Sequence, residues 1–159
     1  FNFQPSIAII DSADAAERMF KTYGGKKEKD DFVVDGLGVG AGTAGELIKR
    51  GYKVYVFKGG RSAQLKEDYA NERCEAFYTC ANEYRLGKIY HADGFIDDQE
   101  EKIEYEAQMC SIRIDPGNEK VLNLISKKQM RADGIKSPDK ADSGSMQFAP
   151  EADEQIVVW

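Results

Sequence analysis

The chain has 159 residues, 31% of them charged, and a formal net charge of −6, which fits one domain with a single core. This acidic balance argues against a protein whose whole surface binds nucleic acid, but it allows a local basic groove. The cysteines, Cys74, Cys80 and Cys110, form no CxxC pair and have no histidine nearby. We therefore expect reduced thiols, no zinc site and, because no apolar window is long enough for a membrane span, a soluble intracellular protein.

The first part of the sequence predicts alternating strands and helices. The β-branched run at residues 7–10 predicts a strand, and residues 15–23 predict a helix that ends at a pair of glycines. A strand is expected at residues 32–35, a helix at 43–50 and another strand at 52–57. A strand, helix and strand joined by short loops indicate a parallel pair with a right-handed crossover.

The second part predicts a longer helix over residues 67–86, with its aromatic residues in the core, and a short strand at residues 88–90. An acidic helix is expected to open at residue 97. Residues 112–125 predict a β-hairpin, because a Pro-Gly turn separates two β-branched segments. The acidic residues after Pro150 predict a peripheral tail.

A glycine-rich turn follows the expected strand that ends at Asp35. Gly40, Gly42 and Gly45 satisfy the GxGxxG pattern of dinucleotide-binding proteins, between a strand and a helix. The next strand ends in Lys58 without an acid to hold a ribose, so only an NADP-type version would fit. The carboxylate of Asp35 would repel a pyrophosphate at this turn, which weakens that interpretation.

A metal site is the alternative interpretation of the turn at Asp35, because Mg²⁺ prefers carboxylate oxygens as ligands. A second acidic element, Ser-Pro-Asp-Lys-Ala-Asp, covers residues 137–142. Ser137 suits the N-cap and Pro138 the first helical position, so Asp139 and Asp142 would share one face at a helix N-terminus. The alternative is a plain capping turn whose acids complement the helix dipole.

Three segments together resemble the C-terminal nuclease domain of the large terminase subunit of tailed phages and prophages. They are residues 35–42, with the pattern Asp-Gly-x-Gly-Val-Gly; residues 66–78, with Asn71 and Arg73; and residues 125–142, with Arg-x-x-Gly-x-x-Ser-Pro-Asp-x-Ala-Asp. The resemblance covers nearly the whole chain in the same order.

The resemblance implies an α/β, ribonuclease-H-like (RuvC-like) mixed sheet flanked by helices, in residues 1–150, followed by the tail at 151–159. It implies an endonuclease that cuts concatemeric double-stranded viral DNA during genome packaging with Mg²⁺ or Mn²⁺ in a two-metal site. Asp35 would be the ligand on the central strand, and Asp139 with Asp142 would supply acids from the C-terminal helix. Basic residues expected to contact the DNA backbone, unless they form plain solvated faces, are Lys58, Arg61, Lys127, Lys128 and Arg131.

The family pattern includes a further aspartate on an earlier strand, and we expect this strand and its acid to be missing here. Asp11 is the nearest substitute, although its context fits a helix cap better. Weak metal binding and poor cleavage are therefore expected, and His91 is expected to be a loop residue. The sequence has no GxxxxGK[ST] motif of an ATPase. The resemblance implies a terminase ATPase domain, a small terminase subunit and a portal as partners, in the cytoplasm of a bacterial host. A catalytically inactive interaction domain of the motor is the remaining alternative.

Overall fold

The computed structural model describes residues 5–89, 98–117 and 120–149. They belong to two compact units, Phe1–Lys58 and Gly59–Trp159. The expected loop residue His91 and the expected acidic tail 151–159 lie outside the described residues, as does Tyr90 of the predicted strand 88–90. None of the described helices is both long and apolar enough to cross a membrane.

The first unit contains helix α1 (Pro5–Thr22), strand β1 (Phe32–Asp35), helix α2 (Val39–Lys49) and strand β2 (Val54–Phe57). The two strands are parallel, with Phe32 opposite Val54 and Asp35 opposite Phe57. This confirms the predicted α/β class and the parallel strand pair. Within the described residues the sheet has two strands, so the wider mixed sheet stays a prediction.

The predicted strand at residues 7–10 is wrong, because these residues lie in α1. The apolar residues that follow have helical spacing: Ala13 is fully buried, and Ala16 and Phe20, three and seven residues later, pack against the same core. Four apolar residues cannot distinguish a strand from a helix, whereas this longer spacing does. Asp11 is an exposed residue in the interior of the helix rather than a cap.

The second unit contains helices α3 (Glu72–Arg85), α4 (Gln99–Ser111), α5 (Lys127–Ala132) and α6 (Asp139–Met146). Helix α3 begins later than predicted because the Asn71 side chain accepts a hydrogen bond from the Cys74 N–H and caps it. Cys74 packs with Phe77, Leu124 and Ala141 in the core. This core fixes α6, the helix that carries two of the predicted site residues, against α3.

The predicted hairpin forms as a short antiparallel bridge between Ile114 and Leu124. The Asp115 N–H donates to the Asn123 carbonyl at 2.8 Å on one side of it. Residues 118 and 119 of the predicted hairpin lie outside the described residues. The second strand segment of the hairpin also forms a parallel bridge, between Leu122 and Tyr69. This bridge connects the segment before α3 to the hairpin.

All three cysteines are free: Cys74 and Cys80 are buried and Cys110 is exposed. Burial raises the pKa of the Cys80 thiol to about 11, which keeps it neutral and unreactive near neutral pH.

Gly144 lies inside α6, where glycine is a poor helix former, because α4 approaches it closely. A Cβ at this position would be 2.7 Å from the hydroxyl oxygen of Tyr105 and 3.1 Å from its ring atom Cε2. Tyr105 is 8% exposed and its hydroxyl is 3.4 Å from that of Tyr84. The glycine therefore allows an aromatic ring to pack directly on the helix backbone.

We expect Gly144→Ala to destabilise the protein by about 1–3 kcal/mol, although alanine is the better helix former, because the added methyl group overpacks this contact. Urea unfolding followed by circular dichroism measures the change. Tyr105→Phe in the same background removes the nearest atom and should recover part of the loss. A Gly144→Ala protein more stable than the parent would contradict the packing argument.

Candidate functional site

Asp35 ends strand β1 and its side chain is exposed. Its Oδ1 accepts a hydrogen bond from the Leu37 N–H at 3.2 Å, which holds the carboxylate over the start of the turn. The Gly36 N–H donates to the Phe57 carbonyl at 2.7 Å, so the chain stays paired with β2 one residue beyond the aspartate. The first unit therefore presents a carboxylate at the carboxyl end of a strand.

Three glycines after β1 are required by the path of the backbone. A Cβ on Gly36 would be 2.8 Å from Cγ1 of Val56, and one on Gly40 would overlap the Asp35 carbonyl oxygen. Gly38 has φ of 58°, in the left-handed region where glycine has no steric penalty. The turn thus folds back tightly, and the first turn of α2 lies against the Asp35 carbonyl at the end of β1.

The same geometry disfavours a dinucleotide at the GxGxxG pattern. A Cβ on Gly42 would collide with the side chain of Ile9 from α1, so this glycine serves the packing of two helices. A Cβ on Gly45 would meet no atom within 4 Å, whereas the third glycine of a dinucleotide fingerprint allows close packing of helix on strand.

Asp139 and Asp142 lie in the first turn of α6, as predicted from their spacing. The side chain of Asp139 is 74% exposed and that of Asp142 is 13% exposed. The predicted capping is wrong: Pro138 occupies the N-cap position, without a side-chain cap. The Ser137 hydroxyl donates instead to Asp139 Oδ1 at 2.7 Å, since proline at the cap leaves the serine outside the helix.

Lys127, the first residue of α5, lies between these two acids. Its Nζ is 3.1 Å from Asp139 Oδ1 and 2.6 Å from Asp142 Oδ2. Burial opposes the charged form of the lysine, but its pairing with Asp142 and Asp139 outweighs this and raises the pKa of Lys127. The hydrogen bond from Ser137, followed by that from Lys127, lowers the pKa of Asp139. The two carboxylates thus already share one cation.

Arg73, from the first turn of α3, holds the other side of Asp142. Its Nε is 2.9 Å from Asp142 Oδ1, and the arginine side chain is 16% exposed. The guanidinium also lies over the ring of Phe77 at 5.1 Å. Asp142 Oδ2 is buried and lies 2.6 Å from Lys127 Nζ, so this second oxygen is held by the lysine. Asp142 is therefore anchored between two cations, whereas Asp139 faces solvent.

The donor set of this acid pair fits a divalent cation. Mg²⁺ and Mn²⁺ bind carboxylate oxygens, and Mg²⁺ commonly uses one or two protein carboxylates and completes its shell with water and substrate phosphate. The pair supplies two carboxylates, whose oxygens already hold the positively charged ammonium group of Lys127 between them. No group of three or more His, Cys, Asp or Glu side chains suited to a metal occurs in the part of the chain that the structure describes.

The predicted DNA-contacting residues differ in their surroundings. Lys128 and Arg131 are exposed on α5, and Lys58 is exposed directly after β2. Lys127 is engaged by the two acids. Arg61 has Nε 3.6 Å from Oε2 of Glu72, so part of its charge balances a buried acid.

Two glutamates of α3 are buried, which the sequence did not predict. Glu72 is 1% exposed and Glu75 is 3% exposed. Glu75 accepts hydrogen bonds from the backbone N–H groups of Gln64 at 2.7 Å and Leu65 at 3.2 Å. These acids hold the loop before α3, and no spacing rule identifies them because burial of a charged residue depends on the tertiary fold.

No protein-family model and no curated protein sequence matches the chain. Solved structures do match. The nuclease domain of the large terminase subunit gp2 of bacterial virus Sf6 aligns with a TM-score of 0.68 and 22% identity, over 88% of this chain and 72% of that one. A lysine-to-alanine variant of that domain with manganese and β-thujaplicinol gives 0.69 and 21%, over 89% and 73%. The variant with calcium gives 0.68 and 21%, over 87% and 71%.

These alignments agree with the resemblance found in the sequence, and they cover most of both chains. The protein has the fold of the nuclease domain of a phage large terminase subunit.

Proposed function

We propose that this protein is a metal-dependent endonuclease acting on double-stranded DNA, with a ribonuclease-H-like sheet. The observation that carries the proposal is the acid pair Asp139 and Asp142, which holds the ammonium group of Lys127 at the first turn of α6, in a fold shared with a terminase nuclease domain. The related structures were solved with manganese or calcium, in accord with oxygen ligands for a divalent ion.

In this proposal Asp35 is a carboxylate ligand in the first unit, and Asp139 and Asp142 are carboxylate ligands in the second unit. A pair of bound Mg²⁺ or Mn²⁺ ions would supply an activated water and stabilise the leaving oxygen of a phosphodiester. Asp139 is the accessible ligand, and Asp142 is fixed by Arg73. The exposed Lys58, Lys128 and Arg131, together with Arg61 and Lys127, would contact DNA phosphates and position the duplex without reading its sequence.

The likeness to a terminase domain also supports a proposal about the biological setting. We propose that the substrate is concatemeric viral DNA in the cytoplasm of a bacterial host. The partners would be a terminase ATPase domain, a small terminase subunit and a portal. Arginine and lysine side chains that bind phosphates would make binding of this DNA fall as the salt concentration rises.

Titration of the whole chain with Mn²⁺ and with NADP separates this proposal from the dinucleotide alternative. We expect Mn²⁺ to bind, as measured by calorimetry, and NADP to have no effect. A plasmid-nicking assay with Mn²⁺ should then show cleavage that EDTA abolishes. Binding of NADP without Mn²⁺ would overturn the proposal, and binding of neither would favour an inactive interaction domain of the packaging motor.

A further inference from the structure

The N-terminus of α6 is capped from another helix. The amide oxygen Oε1 of Gln108, on α4, accepts the backbone N–H of Lys140 at 2.8 Å and that of Ala141 at 3.3 Å. The first N–H groups of a helix have no partner inside it and normally bond a side chain at the N-cap. Here the N-cap is Pro138, which carries no acceptor on its side chain, so Gln108 does this from 32 residues away.

The capped residues lie between the two acids. Lys140 and Ala141 separate Asp139 from Asp142, so a bond to their N–H groups fixes the direction of the turn from which both carboxylates project. Gln108 is half-buried, and its own amide nitrogen donates to Glu104 Oε1 at 3.3 Å. That second bond sets which end of the amide faces α6.

We propose that Gln108 is a positioning residue for metal binding: it holds the first turn of α6 so that Asp139 and Asp142 keep a common orientation. This inference rests on the proposed function, since it assigns these acids to a metal. Groups that orient metal ligands from outside the coordination shell typically contribute about 10–100-fold to affinity. Gln108 would act in this way through the backbone rather than by touching a ligand side chain.

The test compares Gln108→Met, which keeps the length of the side chain without an acceptor, with Gln108→Glu, which keeps an oxygen in place. Two quantities are measured well below the unfolding temperature: the exchange rates of the Lys140 and Ala141 amides by NMR, and the Kd for Mn²⁺ by calorimetry. In Gln108→Met we expect exchange about 5–10-fold faster and a Kd about 10-fold weaker. Gln108→Glu keeps an acceptor oxygen and should restore the slow amide exchange; because it also adds a negative charge near the two acids, the exchange rates are the readout for this variant.

Glu104→Gln is the matched control on the same helix. It breaks the ion pair with Lys140 Nζ, whose 2.8 Å contact joins the same two helices, and it leaves an oxygen that can still accept from Gln108. We expect this variant to keep the amide exchange rates and the Kd of the parent. A loss equal to that of Gln108→Met would mean that any weakening between α4 and α6 suffices, and would overturn the specific role of Gln108.

The remaining outcomes separate the two proposals. Unchanged exchange at Lys140 and Ala141 in Gln108→Met would overturn the cap. Faster exchange with an unchanged Kd would overturn the positioning role, while loss of Mn²⁺ binding in Asp139→Asn would still support the metal site. If Asp139→Asn binds Mn²⁺ as tightly as the parent, the metal site itself is wrong and the positioning role falls with it.

Discussion

Asp139→Asn should lower Mn²⁺-dependent DNA cleavage by about 100-fold or more, which corresponds to about 2.7 kcal/mol of transition-state stabilisation. The amide keeps the shape of the side chain but removes the negative charge that a divalent ion requires. The fold should tolerate the change, because this side chain is 74% exposed and exposed ion pairs contribute at most about 1 kcal/mol. Plasmid nicking and urea unfolding of the same preparation measure both effects.

Asp133→Asn is the control for this experiment. Asp133 follows α5 in the same unit and is exposed, with a hydrogen bond to Oδ1 from Gln129 Nε2 at 2.7 Å. It removes the same charge from the surface without touching the acid pair, so cleavage should stay within about twofold of the parent, as expected of surface substitutions. Equal activity in the Asp139→Asn variant and the parent would show that this carboxylate is not a metal ligand.

Breaking the contact between Arg73 and Asp142 should have the largest effect on stability. We expect Asp142→Asn to lower the free energy of unfolding by about 3 kcal/mol, because it leaves the mostly buried charge of Arg73 without its carboxylate partner. Arg73→Met should cost less, because Asp142 keeps its ion pair with Lys127. The Nε of Arg73 lies 2.9 Å from Asp142 Oδ1, and the two side chains are 16% and 13% exposed. Urea unfolding of each variant measures the loss.

The double variant Arg73→Met with Asp142→Leu distinguishes a broken ion pair from general damage to the core. With neither charge present, no desolvated group is left unpaired, and apolar replacements of buried pairs are often close to neutral. The double variant should therefore lose less stability than the sum of the single changes. Strictly additive losses would show that the two residues contribute independently. Metal binding should still weaken, since Asp142 is one of the proposed ligands.

The strands and helices around Asp35 could be predicted because their signals are local. A β-branched run ending in an acid, three glycines and an amphipathic helix give β1 and α2 from neighbouring residues alone. The segment at residues 7–10 could not be assigned in this way. Its helical character becomes visible only when Ala13, Ala16 and Phe20 are included, and their burial depends on α2 and the sheet.

In the candidate site, too, the local features could be predicted from the sequence and the long-range contacts could not. The spacing of Asp139 and Asp142 on one helix face follows from three residues of sequence separation. Their contacts with Lys127 and Arg73 join positions far apart in the chain, and nothing in the local sequence selects these cations from the other basic residues. The cap from Gln108 could not be predicted either, because sequence rules search for capping residues next to the helix in the chain, and Gln108 lies on another helix.

The contact between Gly144 and Tyr105 has an evolutionary consequence. The two positions are 39 residues apart, yet they share one small volume, so a substitution at either changes which residues the other accepts. Among relatives of this protein we expect a larger residue at the position of Gly144 to occur with a smaller one at the position of Tyr105. Such correlated substitutions would reveal the packing of α4 on α6 from an alignment of sequences, without a structure.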